Sequence, residues 1–184
     1  TRYTSPEGIP ELRAAIAAKF ARENRIAYAP DQVIVTTGGK QALFNALVAT
    51  LNPGDEVVIP APYWVSYPDM VRLAGGTPVI VEGRLETGFR ITPQALDAAI
   101  TPRTKWFIFN SPSNPTGMVY TRTELEAIAE ICLESDLVIV ADDIYAKLVY
   151  DDAEFVGIAS LSPEVARRTF IIQGVSKAYA MTGW

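Results

Sequence analysis

Apolar positions along this chain switch repeatedly between helical spacing and short unbroken runs. Pro10 suits a first helical position, and Leu12, Ile16, Lys19 and Phe20 recur at helical spacing, which predicts a helix over 10–24. The β-branched run Val33-Ile34-Val35-Thr36 predicts a strand, and Gly38-Gly39 then opens a helix through Leu51. A turn at Asn52-Pro53-Gly54-Asp55 leads to a strand over 56–59. A helix over 63–73, stopped by Gly75-Gly76, precedes a strand over 77–81. Thr92 as N-cap with Pro93 behind it predicts a helix over 92–100, and 105–109 is again a strand. The clearest helix is 121–134: Thr121 and Glu124 form a capping box, and Leu125, Ile128, Ala129 and Cys132 share one face. The continuous apolar run 137–141 reads as a buried parallel strand, and 169–173 as another.

This alternation predicts an α/β fold of three layers, a mostly parallel sheet covered by helices on both faces. The 184 residues suit one domain, long enough to bury about 70% of the surface its unfolded chain would expose. In such folds ligands bind beyond the carboxyl ends of the strands. The chemically capable residues follow predicted strands: Gly38-Gly39-Lys40 after 33–36, Asn114 after 105–109, Asp142 and Tyr145 after 137–141, and Lys177 after 169–173.

Composition narrows the chemistry. Net charge is -5 and the 16 Lys and Arg are scattered, which argues against a nucleic-acid surface. No apolar run approaches the roughly 20 residues of a membrane helix. The single cysteine, Cys132, falls on a helical face and reads as a small buried hydrophobe; a reducing cytoplasm is the expected compartment. There is no histidine, which removes Ser-His-Asp and Cys-His catalysis and His-ligated zinc from this chain. Proton transfer near neutral pH then falls to Lys, Tyr, Asp or Glu with a shifted pKa.

Lys177 stands among apolar and small residues in the stretch 176–184, where desolvation is expected to lower its pKa and make it a nucleophile able to form a Schiff base. A lysine snorkelling from a strand-to-helix turn is the alternative. Gly38-Gly39-Lys40 at a helix start can seat an anion, or be an ordinary turn. Trp64, with Tyr63, can stack on a planar ring, or simply pack. Asn114, in the turn-rich segment 110–117, carries an amide able to donate to a ring oxygen, or only shapes a turn. Asp142 after a buried strand needs a cationic partner, such as a protonated pyridine nitrogen, or caps a loop. Tyr145, three residues on, can meet a phenolate oxygen of the same ring.

Together, in order, these motifs resemble the large domain of a fold-type-I pyridoxal-phosphate enzyme, a class I/II aminotransferase. Residues 174–184 match that family's cofactor-attachment signature, and Asn114-Pro115-Thr116-Gly117 and Asp142-x-x-Tyr145 match two further motifs. Within the family the chain is similar to the bacterial aspartate aminotransferases related to aspartate/prephenate aminotransferases. The resemblance implies pyridoxal 5'-phosphate bound as an aldimine to Lys177, with Ser176 beside it in the signature. It implies that Asp142 pairs with the ring nitrogen, that Tyr145 and Asn114 bond the 3-oxygen, and that Trp64 stacks on the ring. It implies that Gly38, Gly39 and Lys40 help seat the phosphate, with Lys40 also meeting the distal carboxylate of acidic substrates. Tyr3 matches a tyrosine that reaches the phosphate of the neighbouring subunit, so a homodimer is implied; a packed or frayed terminal residue is the plainer reading of Tyr3. The implied activity is ping-pong transfer of an amino group between aspartate and 2-oxoglutarate. The alternatives are prephenate, glutamate or aromatic amino acids as substrates, or β-elimination or decarboxylation on the same cofactor.

The chain departs from the wider pattern at Gly174, where many relatives place a phosphate-binding serine, although relatives in this subgroup also have glycine. It starts at Thr1 and stops at Trp184, one residue short of the family's phosphate arginine. The small domain with its α-carboxylate arginine, and one further sheet strand, are expected outside it, so the chain is expected to be an inactive piece of a longer protein. Two readings from other classes are a Rossmann-like nucleotide domain, which lacks its glycine fingerprint here, and a non-catalytic regulatory domain that binds the same cofactor.

Overall fold

A computed structural model describes residues 3–183. Five strands form one sheet: β1 (Glu56–Ala61), β2 (Thr77–Glu82), β3 (Thr104–Asn110), β4 (Val138–Asp142) and β5 (Thr169–Ile172). Their order is β2-β1-β3-β4-β5, and all four ladders are parallel. The helices are α1 (Pro10–Glu23), α2 (Gly39–Thr50), α3 (Ser66–Leu73), α4 (Pro93–Asp97), α5 (Arg122–Glu134), α6 (Pro163–Arg167) and α7 (Val175–Ala178).

Alternation within the strands feeds two separate cores, because successive strand side chains point to opposite faces. Val57, Ile59, Trp106, Ile108 and Val140 pack with Leu43 and Leu47 of α2 and Tyr67, Met70 and Val71 of α3. Val58, Phe107, Phe109, Ile139 and Ala141 pack on the other side with Leu96 of α4, Leu125, Ile128, Ala129 and Cys132 of α5 and Val165 of α6. The expected three layers are therefore present. The α5 capping box closes in both directions: Glu124 N donates to Thr121 Oγ1 at 3.3 Å, and Thr121 N donates to Glu124 Oε2 at 2.8 Å. Cys132 is buried, and burial pushes its thiol up to about 12, as befits an inert core side chain.

Three expectations need correction. Residues 33–36 are extended but are not a sheet strand: Val35 N donates to Glu7 O at 2.9 Å, and Ile34 is exposed. A β-branched run marks extended backbone, but pairing needs a neighbour that burial supplies. The helix expected over 63–73 starts at Ser66, which leaves Tyr63 and Trp64 in the turn after β1. The helix expected over 92–100 is the single turn and a half of α4, although Thr92 does cap it, accepting from Ala95 N.

Leu47 and Leu125 are fully buried on opposite faces of the sheet. In the full-length protein each change to alanine is expected to cost about 2–5 kcal/mol. Because the sheet separates them, the double variant should lose the sum within about 0.5 kcal/mol, as read from urea unfolding. A larger departure would contradict two independent cores.

Candidate active site

All five strands run the same way, so their carboxyl ends share one edge of the sheet. Chain order reverses between the neighbours β1 and β3, and such a switch point opens a crevice beyond the strand ends. Pro62, Tyr63, Tyr67, Asn110 and Ser113 line a pocket there. Asp142 closes β4 on this edge, opposite Asn110 of β3 and Ile172 of β5.

Asp142 is 8% exposed, and two groups donate to it. Tyr67 donates its hydroxyl to Oδ2 at 2.7 Å, and Ile144 N approaches Oδ1 at 3.4 Å. Burial raises the carboxyl pKa, while these donors pull it down. Tyr67 is itself pushed well above its usual value, first by burial, then by the Asp142 charge, so it stays a donor. Among the described residues no cation pairs with Asp142. The buried carboxylate at the opposite end of the sheet differs: Glu56 is met by Arg103 at 2.6 Å and by the Thr101 hydroxyl at 2.6 Å. A buried carboxylate with donors but no counter-ion fits a protonated ring nitrogen.

Tyr67 links Asp142 to two other predicted residues. Its ring meets Trp64 edge-on, 5.4 Å between centroids at 88°. Lys40 Nζ stands 4.8 Å from the centroid of the Trp64 ring. Lys40, Trp64 and Asp142 thus come together through a residue that sequence reasoning missed. The available signal was the Trp64–Tyr67 spacing, because a tyrosine buried on a helix needs a partner for its hydroxyl. Asn110 was missed as well. Its Nδ2 donates to Asp142 O at 2.7 Å, and its Oδ1 accepts from Asn114 N at 2.8 Å, so it ties the Asn114 turn to the end of β4. Tyr145 follows the end of β4 by three residues and is half-buried.

The glycines set the remaining wall. Gly38 has φ +91°, a conformation that favours glycine, and it is the N-cap of α2. The first turn of α2 leaves amide N–H groups without intrahelical partners. A Cβ on Gly39 would lie 3.3 Å from Ile172 Cγ2, so α2 starts against the end of β5 although no sheet strand precedes it. A Cβ on Gly174 would lie 3.0 Å from Ile144 Cδ1, which gives a packing reason for glycine where a serine was the family expectation. Ser176 and Lys177 lie on α7, five residues or fewer beyond β5. Lys177 is exposed, as are Val175 and Tyr179. The desolvation expected from its apolar neighbours is thus not provided by the described residues, because adjacency in sequence does not cover a side chain. Tyr3 is fully exposed and touches none of this set, and Trp184 of the signature lies outside the described residues.

The sequence profile of the family described as "Aminotransferase class I and II" matches residues 1–184. The chain is 64% identical to an aspartate/prephenate aminotransferase of Cereibacter sphaeroides, an alignment that covers 100% of this chain and 46% of that protein. The crystal structure of an aspartate aminotransferase from Rhizobium meliloti superposes with a TM-score of 0.97 at 50% identity, covering 100% of this chain and 46% of that one. An aspartate aminotransferase from Thermus thermophilus, solved with maleate, gives 0.95 at 50% identity over 100% and 47%. The chain spans about half the length of the relatives it matches. On its sequence, its sheet and the edge where its motifs gather, this chain belongs to the class I and II aminotransferases.

Proposed function

We propose that the full-length protein is a pyridoxal-phosphate-dependent aminotransferase acting on aspartate and 2-oxoglutarate. This chain would be most of its larger, cofactor-binding domain, with the small domain encoded outside it. The observation that carries the reading is Asp142, buried at the strand edge, held by Tyr67 and lacking a cation. When bound, pyridoxal phosphate supplies an aldehyde for attachment and a ring that withdraws electrons. Lys177 would be the residue that holds the group through its Nζ, and its amine would be the base for the substrate α-proton. Asp142 would keep a proton on the ring nitrogen, and the Tyr67 hydroxyl and Ile144 N–H would favour the ionised form that does so. Trp64 would cover a ring face, Asn114 and Tyr145 would meet the ring oxygen, and the start of α2, with Gly38, Gly39 and Lys40, would hold the phosphate.

Lys40 supports an acidic substrate, since its ammonium sits at the site and can meet a second carboxylate. The maleate in the Thermus relative is such a dicarboxylate, and the Cereibacter relative's name adds prephenate to the substrates worth testing. The same reading carries a homodimer, with the exposed Tyr3 reaching the neighbouring subunit's phosphate, and a cytoplasmic location.

The full-length protein should be yellow, lose that colour with aspartate, and keep the cofactor covalently after borohydride. Lys177→Ala should abolish covalent retention and turnover; an active variant would end the assignment. Tyr67→Phe should let burial dominate, so that Asp142 ionises only at higher pH. Its stability deficit should be about 1.5–3 kcal/mol where wild-type Asp142 is ionised and should shrink as pH falls and Asp142 protonates. A deficit that ignores pH, in urea unfolding across a pH series, would remove Tyr67 from this role.

A further inference from the structure

β4 runs into two consecutive acids, and only the first is needed by the site. Asp143 is 3% exposed, and its N–H donates to Ile172 O at 2.9 Å, which fixes it behind the end of β5. The groups facing it come from four directions. Gln173, just beyond β5, and Lys19 of α1 lie near enough to lower its carboxyl pKa, while the Asp142 charge raises it. Tyr28 lies within reach of the Asp143 charge. Asn24, the C-cap of α1, flanks the same glycine: a Cβ on Gly157 would be 3.6 Å from both Asn24 Nδ2 and Asp143 Oδ2.

The charges nearby are used elsewhere. Lys19 Nζ donates to Gln173 Oε1 and sits 3.7 Å from Glu23, which also pairs with Lys147 at 3.0 Å and Arg22 at 2.8 Å. Among the described residues no ion pair includes Asp143. The Asn24 side chain that flanks Gly157 together with Asp143 carries a polar atom without a partner: its Oδ1 is buried with no donor. A protonated carboxyl would carry the O–H that this acceptor lacks.

We propose that Asp143 is a positioning residue kept as a neutral carboxylic acid, which leaves Asp142 the single anion at the end of β4. Two buried carboxylates on adjacent residues repel, so only one can stay charged cheaply. Asp142 has the tyrosine and backbone donors and faces the crevice. Asp143 is 3% exposed and has no ion pair among the described residues, and burial followed by the Asp142 charge drives its carboxyl pKa well above its usual value. As a neutral donor it serves the unpartnered amide oxygen of Asn24 and so holds the C-cap of α1 against the end of β4. Its value to catalysis rests on the aminotransferase reading; its neutrality does not.

The test uses the full-length protein, first without cofactor. A group with its folded-state pKa raised costs stability as pH climbs from the ordinary carboxylate pKa to the folded one. Asp143→Asn removes that slope while keeping size and a donor. The ratio of its folding constant to wild type should therefore rise about tenfold per pH unit through this window. A variant more than tenfold less stable than wild type at neutral pH would overturn the proposal, because an ionised Asp143 would then be the stabilising form. The infrared C=O stretch of a protonated carboxyl should appear at neutral pH in wild type and vanish in Asp143→Asn; its absence from wild type, or its survival in that variant, would also overturn the proposal. With pyridoxal phosphate bound, Asp143→Asn should leave the pH midpoint of the visible spectrum unmoved; a shift of a full pH unit would count against neutrality. A wild type with no visible band would sink the cofactor reading alone, since the first two measurements need no cofactor.

Discussion

The site depends on keeping one carboxylate ionisable in a place that disfavours charge. Asp142 ends a strand that is buried on both faces, and desolvation there pushes toward the neutral acid. The opposing force is modest: one tyrosine hydroxyl at 2.7 Å and one backbone N–H at 3.4 Å. Hydrogen bonds to a charged group are worth about 1.5–3 kcal/mol each, so they offset part of that cost. A cation delivered to that edge would then find a partner already oriented.

Much of the surrounding architecture serves that balance. α3 packs against β1 and β3 through Met70 and Val71, and the same turn of helix aims Tyr67 at Asp142. Trp64 braces Tyr67 from the side, and Lys40 sits over Trp64. Asn110 fixes the backbone of Asp142 and the Asn114 turn with one amide. The carboxylate, the aromatic wall and the polar turn are therefore one hydrogen-bonded and packed unit rather than separate motifs.

Other residues of the same edge are less complete in this chain. Lys177 is exposed on a four-residue helix, and β5 pairs on one side only among the described residues.

The alternation of strand and helix, the α5 capping box and the inert Cys132 were legible from residue pattern alone. Each depends on neighbours within a few positions or on simple burial. The order of motifs along the chain also sufficed to place Asn114, Asp142, Tyr145 and Lys177 after strands, because parallel strands put their carboxyl ends together. Local pattern misjudged 33–36, since an extended run pairs only if tertiary structure brings it a neighbour. It missed Tyr67 and Asn110, whose partners lie 75 and 32 residues away. It also misjudged the cover over Lys177. Which groups touch across the sheet edge, and which side chains water reaches, are set by long-range packing, and no local periodicity encodes them.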